Sequence, residues 1–240
     1  MITTRLERRV LGAVQFVDAT TGASIDRGLR IETEAKVYWQ CSGLLVIADA
    51  PGLHEHTLEF LHAPGLPAVG SVSISLKVSD PDHQYQATTV ALPLPRSPDP
   101  AAANSVLKAQ PIKLWRTGAA PVSPSWTVYQ VTLVATGTET PIVGALVSLE
   151  AAGHTVQALS DVTGQATLAF VGQPLFTLDA ASKLTRSLAA QIKVRLNQPA
   201  AALADVEAEI SRLAAKPVAA TFNRNLLTGA ATHEVLALSP

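Results

Sequence analysis

The chain reads as an all-β protein built from two β-sandwich domains, the second carrying one inserted α-helix. Apolar and polar residues alternate strictly through Val72-Ser73-Ile74-Ser75-Leu76-Lys77-Val78, the pattern of a strand with one face on a core. Turn chemistry recurs at sandwich-like spacing: Thr21-Gly22, Ser42-Gly43, Pro51-Gly52, Asp80-Pro81-Asp82, Ala152-Gly153 and Thr163-Gly164. A length of 240 residues with 48% hydrophobic and 15% charged residues is enough to bury two cores and is unlike a disordered chain.

The elements follow in order. Alternation at Val14 and Phe16 and at Leu29 and Ile31 marks strands in the first domain, residues 1–97, and Trp39 follows Val37 in strand register as a core residue. Residues 98–125 are rich in Pro, Ala and Ser and read as a linker. Within it, Ile112-Lys113-Leu114-Trp115 is apolar enough to add a strand to a neighbouring sheet. The second domain, 126–240, has alternation at Tyr129, Val131 and Leu133, at Ala145, Val147 and Leu149, and at Ile192, Val194 and Leu196. Leu203, Val206, Ile210 and Leu213 recur every three or four residues and predict a helix near 199–214, with Pro199 in its first turn and its apolar stripe on the sandwich. Asn225 to Ala230 reads as a turn, and Glu234 to Leu238 as a last strand. The order strand, turn, strand, Gly, strand occurs once around Thr21 to Leu44 and again around Thr140 to Gln165, an internal repeat consistent with duplication.

Composition narrows the function classes. A net charge of −1 gives no electrostatic reason to bind nucleic acid or an acidic membrane. Charges at Arg5, Glu7, Arg8 and Arg9 interrupt the apolar stretch that a secretion signal needs, so the reading is synthesis in the cytoplasm without one. The run Leu44 to Ala48 is too short to span a bilayer. A single cysteine, Cys41, excludes an internal disulfide framework.

Candidate chemistry is sparse. His54-Glu55-His56, with His62 nearby, could put two imidazoles on one strand face toward a metal, but no further ligand falls at a recognisable spacing, and an exposed polar edge is preferred. Cys41 has no identifiable partner base and reads as a small, partly buried side chain. Asp80 and Asp82 flank Pro81 as turn residues rather than a calcium corner. Nucleophile elbow, P-loop and dinucleotide fingerprint are all missing. The reading is therefore a non-enzymatic protein with no cofactor and no metal. Trp115 and Trp126 flank the linker and are assigned as domain or interface anchors.

Thr140-Pro141-Ile142-Val143-Gly144-Ala145-Leu146-Val147-Ser148-Leu149, followed by Ser160-Asp161-Val162-Thr163-Gly164-Gln165-Ala166-Thr167-Leu168, resembles carboxypeptidase regulatory-like domains, a transthyretin-like or Ig-like sandwich. The resemblance implies that Gly144 helps open a strand, and that Asp161 to Gly164 close a hairpin turn, with Asp161 capping amides and Gly164 taking positive φ. Taken whole, the chain is also similar to accessory proteins of contractile phage-tail-like particles, through Arg8-Arg9-Val10-Leu11-Gly12-Ala13-Val14, Ser42 to Ile47, Leu92 to Arg96 and Pro121 to Trp126. That implies a structural or adaptor subunit of a tail, baseplate or peripheral attachment, partnered by other protein subunits. The competing reading is a carbohydrate or cell-surface binding module, and behind it a hydrolase.

Overall fold

Strands with one buried and one exposed face must stack in pairs, because each sheet can hide its apolar side only against another. The computed structural model describes residues 10–26, 28–40, 43–51, 72–94, 96–97, 99–172, 177–178, 183–198 and 205–239. The lead Arg8-Arg9, Cys41, the His54-Glu55-His56 cluster, His62, Pro199 and Leu203 lie outside the described residues. The chain forms two compact units. The described residues of the first fall within Met1–Asp18, Gly22–Pro81 and Thr89–Leu114, and those of the second within Ala19–Thr21, Asp82–Thr88 and Trp115–Pro240. Among the described residues, no helix is long and apolar enough to cross a membrane.

The first unit contains β1 (Gly12–Asp18), β2 (Arg30–Glu32), β3 (Lys36–Gln40), β4 (Leu44–Asp49), β5 (Val72–Ser79), β6 (Thr88–Leu94) and β7 (Gln110–Leu114). One sheet has the order β3-β4-β1-β7 and the other β2-β5-β6. β1 is antiparallel to β4 and parallel to β7, with Phe16 opposite Ile112. Inward residues of both sheets are buried: Val14, Phe16, Leu45, Ile47 and Ile112 from one, Ile74, Leu76, Val78, Leu92 and Leu94 from the other. Each such side chain contributes about 1.5–3 kcal/mol by leaving water. Within residues 99–125, expected as a linker that could add a strand through Ile112 to Trp115, β7 joins the sheet of β1, and Arg96 reaches into the loop before it. There the buried Arg96 donates from Nε to the Asn104 carbonyl at 3.2 Å and from a terminal nitrogen to Gln110 Oε1 at 2.9 Å.

The second unit contains β8 (Thr127–Ala135), β9 (Leu146–Ala151), β10 (His154–Leu159), β11 (Gln165–Phe170), the short pair β12 (Thr177–Leu178) and β13 (Leu184–Thr185), β14 (Ser187–Arg195), α1 (Val206–Ala214), β15 (Ala220–Leu227) and β16 (Ala231–Leu238). Its sheets run β11-β8-β16 and β10-β9-β14-β15. Tyr129, Val131, Leu133, Leu168 and Leu236 from the first meet Val147, Leu149, Ile192 and Val194 from the second in one buried core. This is an all-β sandwich with one helix inserted between β14 and β15.

Two expectations are corrected here. The helix does not include Asp205, which is extended (φ −112°, ψ 110°) and caps the helix by accepting from the amides of Glu207 at 3.0 Å and Ala208 at 3.2 Å. Trp39 is not a core residue. It lies on an edge strand, 44% exposed, with its ring tilted against Phe16 at 5.7 Å between centroids.

Candidate functional site

The turn predicted from Asp161 to Gly164 is built as its chemistry requires. Asp161 Oδ1 accepts from the Thr163 amide (2.8 Å), the Thr163 hydroxyl (2.6 Å) and the Gln165 amide (3.0 Å). Gly164 has φ +76°, and a Cβ there would stand 2.5 Å from the Leu133 carbonyl oxygen, so the position excludes a side chain twice over. The segment is not a hairpin, however. β10 pairs with β9, whereas β11 pairs with β8, so the chain passes from one sheet to the other at this turn. Gly144, at φ +70°, donates its amide to the Ser160 carbonyl at 2.8 Å. Ser160 Oγ in turn donates to the Ile142 carbonyl (2.7 Å) and accepts from the Ala145 amide (2.9 Å), which fixes the entry to β9.

Trp115 and Trp126 both act within the second unit. Trp115 packs against a small cluster of Leu146, Leu159, Val206, Ile210 and Leu213, under the apolar stripe of α1. Its indole Nε1 is buried without a hydrogen-bond partner among the described residues. Trp126 lies beneath the Arg116 guanidinium, 4.8 Å from ring centroid to cation, and Tyr85 approaches the same cation at 6.0 Å. Arg116 also donates to the Pro121 carbonyl at 2.6 Å, tying down the Pro-rich stretch.

Sequence reasoning missed a polar network joining the edges of the two sheets. Tyr129, buried in β8, donates its hydroxyl to Glu234 Oε2 of β16 at 2.6 Å, and Arg224 of β15 donates from Nε to the same carboxylate at 2.9 and 3.0 Å. The Arg224 hydrogen bonds hold the Glu234 carboxyl below the ordinary range, opposed by burial and aided by Tyr129. Burial, then the bond to Glu234, pushes the Tyr129 phenol above its usual value. The available signal was that Arg224 lies in phase with the inward-facing Phe222 and Leu226, and Glu234 with Leu236 and Leu238. β15 was missed, and Asn225 to Leu227, expected in a turn, are its last residues, because a cation at an inward position breaks the alternation.

Among the described residues, no group of three or more His, Cys, Asp or Glu side chains is placed to hold a metal ion. Asp80 is buried beside the Pro81-Asp82 turn.

The surface feature that stands apart is β3. It pairs with β4 on one side and has no strand on its other side among the described residues. Its side chains are exposed or half-buried, with Tyr38 49% and Trp39 44% accessible and Lys36 5.9 Å from the Tyr38 ring centroid. An edge strand of this kind presents free main-chain donors and acceptors flanked by aromatic area.

No family model and no curated relative matches the chain. Among solved structures it is similar to 5-hydroxyisourate hydrolase of Klebsiella pneumoniae, at 16% identity and a TM-score of 0.27, over 47% of this chain and 92% of that one. It is also similar to the TIE protein of Bacillus anthracis, at 9% identity and a TM-score of 0.27, over 95% of this chain and 34% of that one, so it spans about a third of that protein's length. A third is the shaft pilin SpaA of Lactobacillus rhamnosus GG, at 9% identity and a TM-score of 0.27, over 70% of this chain and 64% of that one. Values this low carry no residue and no activity across to this chain.

Proposed function

We propose that the chain is a non-catalytic structural or adaptor subunit of a larger protein assembly, and that it docks by taking an extended segment of a partner subunit onto the free edge of β3. The observation that carries this reading is the edge of β3, which has no partner strand among the described residues and carries Tyr38 and Trp39 exposed. Strand addition there draws affinity from main-chain hydrogen bonds and specificity from the two aromatic side chains. The contractile phage-tail-like particle to which the sequence bears its likeness is the assembly proposed, with sheath, tube or baseplate proteins as partners.

The test is to express a tagged chain in its native source, sediment the particles and compare it with Tyr38→Asp and Trp39→Ala variants. The wild-type chain is expected to co-sediment and to resist moderate salt, because the contact is not carried by charge. Both variants are expected to stay in the supernatant; Tyr38→Asp should keep the wild-type thermal midpoint, whereas Trp39→Ala, which removes a ring packed on Phe16, should lower it modestly without unfolding the first unit. A wild-type chain that runs as a free monomer at every salt concentration overturns the proposal.

A further inference from the structure

The outer face of the β10-β9-β14-β15 sheet is divided into rows by its own register. In the first row Leu159, Leu146 and Arg195 stand opposite one another, and α1 covers the two leucines. The second row is Gln157, Ser148, Lys193 and Thr221, and the third is Thr155, Glu150, Gln191 and Asn223. A fourth places Ala189 opposite Asn225, near the Ala152-Gly153 turn. The second row largely satisfies itself: Gln157 Nε2 donates to Ser148 Oγ at 3.2 Å, and Lys193 Nζ donates to both oxygens of Glu150 at 2.7 Å. The third and fourth rows line an open groove of about 740 Å3, within the size range of small-ligand sites.

Three properties of this groove select a ligand class. Its smallest lining residues, Ala189 on β14 and Ala152 and Gly153 in the β9–β10 turn, keep the groove shallow and open between the polar side chains. Its charges are compensated, since Glu150 is paired with Lys193 and Arg224 with Glu234. The remaining wall both donates and accepts: the amides of Gln191, Asn223 and Asn225, the hydroxyl of Thr155 and, at its turn end, the imidazole of His154. Gln191 Nε2 donates to Asn223 Oδ1 at 3.3 Å, which leaves the Gln191 carbonyl as an acceptor and the Asn223 amide nitrogen as a donor, side by side. Paired amide donors and acceptors match vicinal hydroxyls, and methyl groups match the C–H face of a sugar ring.

We propose that this groove binds a neutral oligosaccharide, independently of the assembly role assigned to β3. An extended peptide fits less well. It would need a free strand edge for its main chain; β9 and β14 across the middle of the groove are paired on both sides, and the end strands β10 and β15 offer their edges only at its rims.

The experiment titrates the full chain with neutral chito-, cello-, malto- and xylo-oligosaccharides, with a sulfated heparin oligosaccharide and with an unrelated extended peptide, following backbone amide shifts by NMR. At least one neutral series is expected to bind in the millimolar range or tighter, with shifts concentrated at Gln191, Asn223 and Asn225. Ala189→Arg, a substitution at an exposed position on the groove floor, is expected to abolish binding. Gln191→Ala and Asn225→Ala are each expected to weaken it about fivefold, the value of one hydrogen bond. Tyr38→Asp is expected to leave it unchanged. The proposal is overturned if no neutral series shifts these amides, if Ala189→Arg binds as well as wild type, or if the sulfated oligosaccharide or the peptide binds as tightly as the best neutral one.

Discussion

The two units share a three-strand frame and then part at a single strand. In the first, β1 lies between antiparallel β4 and parallel β7; in the second, β8 lies between antiparallel β11 and parallel β16. The registers agree closely: Gln15 opposes Leu44 as Thr132 opposes Gln165, and Phe16 opposes Ile112 as Leu133 opposes Leu236. Each first strand also receives the same returning amide, from Ile25 to the Phe16 carbonyl and from Ile142 to the Leu133 carbonyl, both at 2.9 Å. The third strand breaks the correspondence. β3 pairs with β4 in the sheet of β1, whereas β10 pairs with β9 in the opposite sheet.

The flanking connections account for the switch. Ala152 and Gly153 both have positive φ and join paired residues Ala151 and His154, a two-residue turn that keeps β9 and β10 side by side. In the first unit β3 pairs instead with the strand that follows it, Gln40 opposite Leu44, and residues 33–35 carry the chain between sheets, a span of about 10 Å that three extended residues can cover. The surface changes accordingly. Each arrangement widens one sheet to four strands: β3 widens the sheet of β1 and puts an aromatic strand at its end, whereas β10 widens the opposite sheet, whose outer face carries both a helix and a groove.

The largest effect tests the shared frame. Gly43 and Gly164 have φ of +68° and +76°, and a Cβ at either would collide with a backbone carbonyl, that of Ile25 or Leu133. Valine at each position is expected to destabilise its own unit by about 3 kcal/mol, through αL strain plus overpacking, as read by urea denaturation. Unequal losses would show that the correspondence is only one of shape.

A smaller effect tests the widened sheet. Leu213→Ala removes a fully buried contact of α1 with Leu146 and Leu159 and should cost about 2–3 kcal/mol in the second unit. Denaturation followed by circular dichroism should show the first unit unchanged.

The Glu234 network closes the second sandwich. Because its folded pKa is lowered, its contribution is fully present above the ordinary carboxylate range, near about pH 4, and is lost as pH falls through the lowered value. The size is expected to be under about 1 kcal/mol, since the pair is partly solvated. Glu234→Gln should flatten that part of the stability–pH profile below pH 4.

The smallest change probes the switch itself. Ala152 has φ +50°, where glycine carries no Cβ penalty. Ala152→Gly is expected to stabilise the second unit by up to about 1 kcal/mol by thermal melting, as strain relief exceeds the added freedom of the unfolded chain.

Much of this fold was legible from local pattern. Alternation located β1, β5, β8, β9 and β14, the three-or-four spacing located the stripe of α1, and Asp161 with Gly164 announced a turn whose residues behave as expected. The sequence by itself determined most of the extended segments, the buried face wherever alternation was unbroken and most of the bends, because these depend on residues a few positions apart; it did not reach β15, where Arg224 breaks the alternation, or the exposure of Trp39. Tertiary structure alone decided which sheet a strand joins, since alternation reports that a face is covered and not which neighbour covers it. It alone placed Tyr129 beside Arg224 and Glu234, put β3 at the end of its sheet among the described residues with Trp39 at the surface, and set Thr155, Glu150, Gln191 and Asn223 in one row. Most of those partners lie tens of residues apart along the chain, and what brings them together is strand register, a quantity that no local pattern carries.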